Sequence, residues 1–221
     1  PKPIIEVQGK PMIQRVVENL NINAHYIFIV QTEMNAKYNL AATLGQIVPN
    51  CTIVESDGLT QGAAETVLLA SNLIDSGAPL LLANSDQLID WDPARTLYKW
   101  RNSEVAGGIL TFESTHPKWS YAALDDLGHV VQVAEKKPIS NHATVGIYYW
   151  QRGSDFIRCA RTMIQKDIRT NGEFYVCPVF NEIIEEGARI AHEEVSKMYG
   201  IGTPEDLQSF LSSADAARLL D

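Results

Sequence analysis

A chain of 221 residues with 45% hydrophobic and 20% charged side chains has the apolar content to bury the core of one α/β domain, which excludes a disordered chain. The formal net charge of -9, from 27 acidic and 18 basic side chains with no block of like sign, excludes the electrostatic footprint of a nucleic-acid binder. It leaves local phosphate binding open, because a few lysines, backbone N–H groups and a divalent cation suffice for that.

The elements follow in chain order. An apolar run over residues 26–30, a helical pattern to about residue 48 and a second apolar run over 51–55 have the rhythm of a βαβ unit. A helix over about 61–71 and a continuous apolar strand over 79–83 extend it, as in a parallel sheet covered on both faces. After Asp92 the texture changes. A helix over 95–101 leads into strand-like pieces at 105–112, 120–124, 130–134 and 145–150, then helices at about 154–165 and 176–186, a strand at 188–195 and a last helix from Pro204. The fold expected is α/β, with a Rossmann-like, mostly parallel central sheet, helices on both faces and a mixed or antiparallel extension. No Gly-, Ser- or Pro-rich linker divides the chain, so residues 1–221 read as a single domain.

No stretch reaches the length of a membrane span and no basic-then-apolar leader opens the sequence, so the expectation is a cytoplasmic protein without a membrane partner. Cys51, Cys159 and Cys177 are too few and too far apart for a disulfide framework or a CxxC metal pair. The five histidines include no i,i+4 pair on one helix face, which removes support for zinc catalysis.

Several stretches carry candidate chemistry beside a plain structural account. The strand 79–83 runs through Asn84 and Ser85 to Asp86, placing a carboxylate at a sheet edge where open α/β folds bind ligands. Asp86 reads equally as a magnesium ligand or a turn residue. Asp90-Trp91-Asp92 has the DxD spacing of metal-dependent glycosyltransferases, but Asp92 before Pro93 is better read as an N-cap with proline at N1. Gly62, in the first turn of the helix after Thr60-Gln61, marks a close approach by a nucleotide base or close helix-to-strand packing, with Thr60 as cap. Glu135-Lys136-Lys137-Pro138 closes a strand as either a site or a solvated turn. Gly146 inside the strand 145–150 marks a bulge or a close approach, such as that of a sugar hydroxyl. Thr203-Pro204-Glu205-Asp206 is a complete helix start.

In order, Lys2-Pro3-Ile4-Ile5-Glu6-Val7 with Gly9-Lys10-Pro11-Met12-Ile13, Gln61-Gly62-Ala63-Ala64, Ser85-Asp86, Glu135-Lys136, Val145-Gly146-Ile147-Tyr148 and Gly202-Thr203-Pro204-Glu205-Asp206-Leu207 resemble the sugar-phosphate nucleotidyltransferases. That family includes glucose-1-phosphate thymidylyl-, uridylyl- and cytidylyltransferases and mannose-1-phosphate guanylyltransferases. The resemblance implies a nucleotide half over about 1–92 and a sugar-phosphate half over about 93–221. The reaction implied joins a nucleoside triphosphate to a sugar 1-phosphate with loss of pyrophosphate, with Mg2+ as cofactor and surface polysaccharide as the destination. It implies that Lys2 contacts nucleotide phosphates as the tail of a Gly-x-Gly-x-Arg loop, expected about 20 residues upstream with a first strand. Gln61 and Gly62 would face the base and Asp86 would hold the metal. Glu135 and Gly146 would meet the sugar, and Lys136, or Lys137 one place on, would bind its phosphate. Two departures stand out: Gly200 or Ile201 lies where relatives place a second acidic ligand, and Trp119-Ser120-Tyr121 replaces a sugar-contacting Gly-x-Tyr-Gly. A catalytically silent relative is therefore the alternative, a homo-oligomer is left open, and a glycosyltransferase using Asp90 and Asp92 ranks third.

Overall fold

The structure, a computed structural model, describes residues 1–220. A short hairpin of β1 (Glu6–Val7) and β2 (Lys10–Pro11) leads into α1 (Met12–Leu20), followed by β3 (Ile27–Gln31), α2 (Thr32–Tyr38), α3 (Leu40–Ile47) and β4 (Thr52–Ser56). The single helix expected here is broken because Asn39 adopts left-handed φ 51°, a conformation asparagine tolerates better than most residues. Then come α4 (Ala63–Leu68), α5 (Ser71–Ile74), β5 (Leu80–Ala83), β6 (Gln87–Asp90) and α6 (Pro93–Arg101). The second half holds β7 (Gly107–Glu113), β8 (Ser120–Leu124), β9 (Val130–Glu135), β10 (His142–Trp150), α7 (Gly153–Gln165), α8 (Phe180–Glu185), β11 (Ile190–Glu194), β12 (Lys197–Gly200), α9 (Pro204–Leu211) and α10 (Ala216–Leu220).

The fold is mixed α/β. A six-stranded sheet in the order β5-β10-β7-β11-β9-β8 forms the centre, and β10 alternates its side chains between two cores. Tyr148 and Trp150 enter a core with α7 and α8, where Trp150 stacks on Phe180 at 4.3 Å. Val145, Ile147 and Tyr149 face the other, with α1, Trp100 of α6 and Phe210 of α9. Burial on both faces explains why β10 reads as a nearly unbroken apolar run. The mostly parallel sheet expected from the strand rhythm is not what the pairings show. Among the described residues only β3 with β4 and β7 with β11 run parallel; β5, β8 and β10 make antiparallel pairs.

The pair β3–β4 forms its own sheet, and among the described residues no backbone ladder joins β3 to β5. A cleft of about 710 Å³ lies between them, lined by Phe28 and Leu81 and by Val16 of α1 and Val67 of α4. Its lining extends to Asn84, Asp86 and Gly146. Buried Arg15 donates to the carbonyls of Val7 (3.0 Å), Gln8 (2.6 Å) and Leu220 (2.6 Å), so one guanidinium holds the β1–β2 hairpin and α10 against α1. Among the described residues no helix is long and apolar enough to cross a membrane. Cys159 and Cys177 are buried thiols and Cys51 is half-buried, all without disulfide partners.

His192 on β11 shares a 2.6 Å hydrogen bond with Thr111 and lies edge-on to His142, ring centroids 5.1 Å apart. Burial, then the neighbouring His142, pushes its pKa from 6.5 down to about 4; Lys99 acts in the same direction and Glu193 opposes. The folded imidazole is therefore neutral where the unfolded one would be charged. The stability this confers is fully present above the unfolded value and is lost as pH falls through the folded one. Urea unfolding is expected to show a loss on the order of 1–2 kcal/mol across that window, once solvent screening is discounted. His192→Gln should flatten the loss; an unchanged slope in that variant would locate the titration elsewhere.

Candidate functional site

Asp86 lies three residues beyond the end of β5, where the chain turns into β6. Its carbonyl accepts from Ile201 N at 2.8 Å, linking this turn to the end of β12, which pairs antiparallel with β6. A side chain at Gly202 would collide with the Asp86 carboxylate, so the glycine keeps that face clear. Lys2 Nζ, on the first turn of the chain, comes to 3.3 Å of Asp86 Oδ2. The ammonium and the carboxylate are thus brought together at one sheet edge.

Gly146 sits where the β10–β7 register shifts, between Thr144 and Tyr148, with φ 75°. The bulge turns its carbonyl toward Asn84 N at 3.0 Å and seals the end of β5. What lies directly over its Cα is the pair of side-chain amides of Asn84 and Gln87, both of which a Cβ would strike. The sequence signals these amides only by their flanking of Asp86 at minus two and plus one.

Glu135 ends β9 opposite Ser120, whose hydroxyl donates to Glu135 Oε2. Burial pushes the Glu135 carboxyl above the usual carboxylate range, against the Ser120 hydrogen bond and the Lys136 charge. Lys136 carries a left-handed φ of 54°, an uncommon backbone state for lysine, and its N–H donates to Trp119 O at 3.0 Å. Its ammonium donates to Tyr175 Oη at 2.6 Å and lies 4.8 Å from that ring's centroid; this bond raises the lysine pKa. Lys2 and Asp86 form one charged group and Lys136 with Glu135 another. Neither lysine lines the cleft that reaches Asp86 and Gly146.

On the first half of the chain, Gly62 rather than Thr60 is the N-cap of α4, and Glu65 reaches back to the Gln61 N–H. With φ 138°, Gly62 packs on the main chain of Phe174: a Cβ there would lie 2.5 Å from Phe174 N and O. Phe174 N donates to Gln61 O at 2.8 Å and Ala64 N to Phe174 O at 2.9 Å. The close approach marked by this glycine is thus made by protein backbone. The Gln61 side chain accepts from Arg169 Nη2 at 2.7 Å.

Asp90 and Asp92 have other commitments. Asp92 caps α6, accepting from Arg95 N at 3.0 Å, while Asp90 pairs with Arg218 at 2.8 and 3.0 Å and with Ser196 at 2.7 Å. The Arg218 bonds hold the Asp90 carboxyl below its ordinary range. Gly200 has room for a side chain: a Cβ would meet Trp119 at 3.7 Å and Asp206 Oδ2 at 3.8 Å, ordinary contacts. Among the described residues no three or more of His, Cys, Asp and Glu gather as a metal cluster. One carboxylate at Asp86 nevertheless suits magnesium, which keeps several waters and is held by one or two carboxylates together with substrate phosphates.

The bifunctional protein GlmU of Methanocaldococcus jannaschii is 25% identical over 158 residues, which cover 69% of this chain and 35% of that protein, so the chain spans about a third of the length of this curated relative. A nucleoside-diphosphate-sugar pyrophosphorylase from Vibrio cholerae RC9 superposes with a TM-score of 0.81 at 23% identity, covering 96% of this chain and 92% of that one. The inositol-1-phosphate CTP transferase of T. maritima superposes at 0.75 with 13% identity, over 100% and 86%. At such identities these structures share the fold. The sequence pattern of the nucleotidyl transferases matches residues 1–208, and the chain belongs to that family.

Proposed function

We propose that the protein transfers a nucleoside monophosphate from a nucleoside triphosphate to a sugar 1-phosphate or a similar small phosphate. A phosphate oxygen of the acceptor attacks the α-phosphorus in line, the bond from that phosphorus to the bridging oxygen breaks, and pyrophosphate leaves. Two anions must be brought together, so the protein's task is positioning and charge neutralisation. The observation that carries this reading is the Lys2–Asp86 pair at 3.3 Å, beside the bulged Gly146, in a chain of this family.

In this reading Lys2 neutralises the nucleotide phosphates and Asp86 holds Mg2+. The metal supplies further charge neutralisation on the triphosphate. Gln61 and Gly62 border the base, Lys136 receives the acceptor's phosphate, and Glu135 with the backbone of Gly146 takes its hydroxyls. The Asn84 and Gln87 amides over Gly146 add donors and acceptors on the same side. The parallel β3–β4 pair flanked by α1 and α4 supports a Rossmann-like nucleotide half over residues 1–92.

Pyrophosphate release by the full-length gene product, across a panel of triphosphates and sugar or polyol phosphates with Mg2+, is expected for at least one pair and is expected to stop on chelation. A second reading, a silent nucleotide binder, draws on Gly200, which leaves Asp86 without a second carboxylate on β12. Saturable nucleotide binding with no release from any pair would establish it in place of the first.

A further inference from the structure

Residues 167–175 form a tight hairpin: Thr170 and Glu173 exchange both backbone hydrogen bonds at 3.0 Å, and Asp167, Asn171 and Gly172 take positive φ. Arg169 locks it from inside, bonded to Asp167 Oδ1 at 2.5 Å and to Gly172 O at 3.0 Å, with its guanidinium 3.9 Å from the centre of the Phe174 ring. The same guanidinium holds Gln61 Oε1 at 2.7 Å. Phe174 is fixed to Gln61 and Ala64 by two main-chain bonds, and the next residue, Tyr175, accepts from Lys136. The hairpin therefore touches the base side of the site at one end and the acceptor-phosphate side at the other.

We propose that residues 169–175 act as a strap in which Arg169 orients Gln61 and Tyr175 holds Lys136, so that nucleotide bound against Gln61 fixes the ammonium that receives the acceptor's phosphate. This rests on the roles proposed above for Gln61 and Lys136. Arginine has donors only, so it fixes which end of the amide is the oxygen, and the amide nitrogen keeps one N–H on Glu65 Oε1 at 3.4 Å and the other for the base. Tyr175 acts in the same indirect way: it accepts the ammonium that would bind phosphate and sets its position. Both are positioning residues.

Steady-state kinetics of the full-length protein test this. Tyr175→Phe is expected to raise the acceptor KM about tenfold, with kcat and the triphosphate KM within about twofold, because only a bond to a charged group is lost. Arg169→Met should raise both KM values, although Arg169 does not touch Lys136, and Arg169→Lys should recover most of the loss. In the double variant the acceptor KM should fall short of the product of the single effects. Effects confined to one substrate each, and multiplying in the double variant, would overturn the strap. A readout without turnover separates this from the proposed activity. Triphosphate with Mg2+ alone should slow hydrogen exchange in peptides covering residues 133–138 in the parent and not in Arg169→Met. That protection without any pyrophosphate release would sink the activity and keep the strap; release without the protection would do the reverse.

Discussion

Asp86→Asn is expected to lower kcat for pyrophosphate release by about a hundred- to a thousandfold, with the triphosphate KM changed by less than about threefold. The substitution keeps size and shape and leaves the backbone bond from Ile201 N to the residue-86 carbonyl, so the turn between β5 and β6 should persist. The negative charge that faces Lys2, and that is proposed to hold the cation, is what disappears. Charge placed where a triphosphate reacts matters more in the transition state than in binding, hence the weight on kcat. Circular dichroism and the urea midpoint should match the parent. Activity within about threefold of the parent would return Asp86 to the role of a turn residue and place the metal elsewhere.

Gly62→Ala is expected to cost about 2–4 kcal/mol of stability and to weaken triphosphate binding, since backbone strain and steric overlap add. At φ 138° a side chain is strained whatever the space, and here its Cβ would lie 2.5 Å from Phe174 main-chain atoms. Relief requires moving Phe174, which would break its bonds to Gln61 and Ala64 and pull Tyr175 from Lys136. Gly200→Ala is the matched control: its nearest neighbours stand at 3.7 Å or more, so the midpoint should hardly move. Equal urea midpoints for the two variants would show that Gly62 is not under the constraint described.

Local signals carried much of this architecture. Asp92 before Pro93 and Thr203 before Pro204 start helices as their side-chain chemistry requires, each accepting a backbone N–H three residues on. The strands β7 to β11 were visible because burial on one or both faces imposes a pattern. The pair β6–β12 was not, since Gln87–Asp90 and Lys197–Gly200 are four-residue strands without a clean period. In the site, residue types at Asp86, Glu135 and Lys136 pointed to charge chemistry. Their partners lie at a distance along the chain: Tyr175 is 39 residues from Lys136, and Arg169 is 108 from Gln61. Such pairings are properties of topology, and no window of sequence contains them. Gly62 was legible as a close approach, but only the folded chain identifies Phe174 as the neighbour.

The cleft between β3 and β5 gives the molecule a mechanical seam. Residues 27–56 carry their sheet bonds internally and meet the remainder through side-chain packing along α1 and α4, so they form a foldon able to part from the six-stranded body below the free energy of global unfolding. Among the described residues, cooperativity across the cleft is set by apolar contact, with hydrogen bonds only at the chain-adjacent edges such as Thr32 to Asp57, and a substrate spanning it would weld the two units into one.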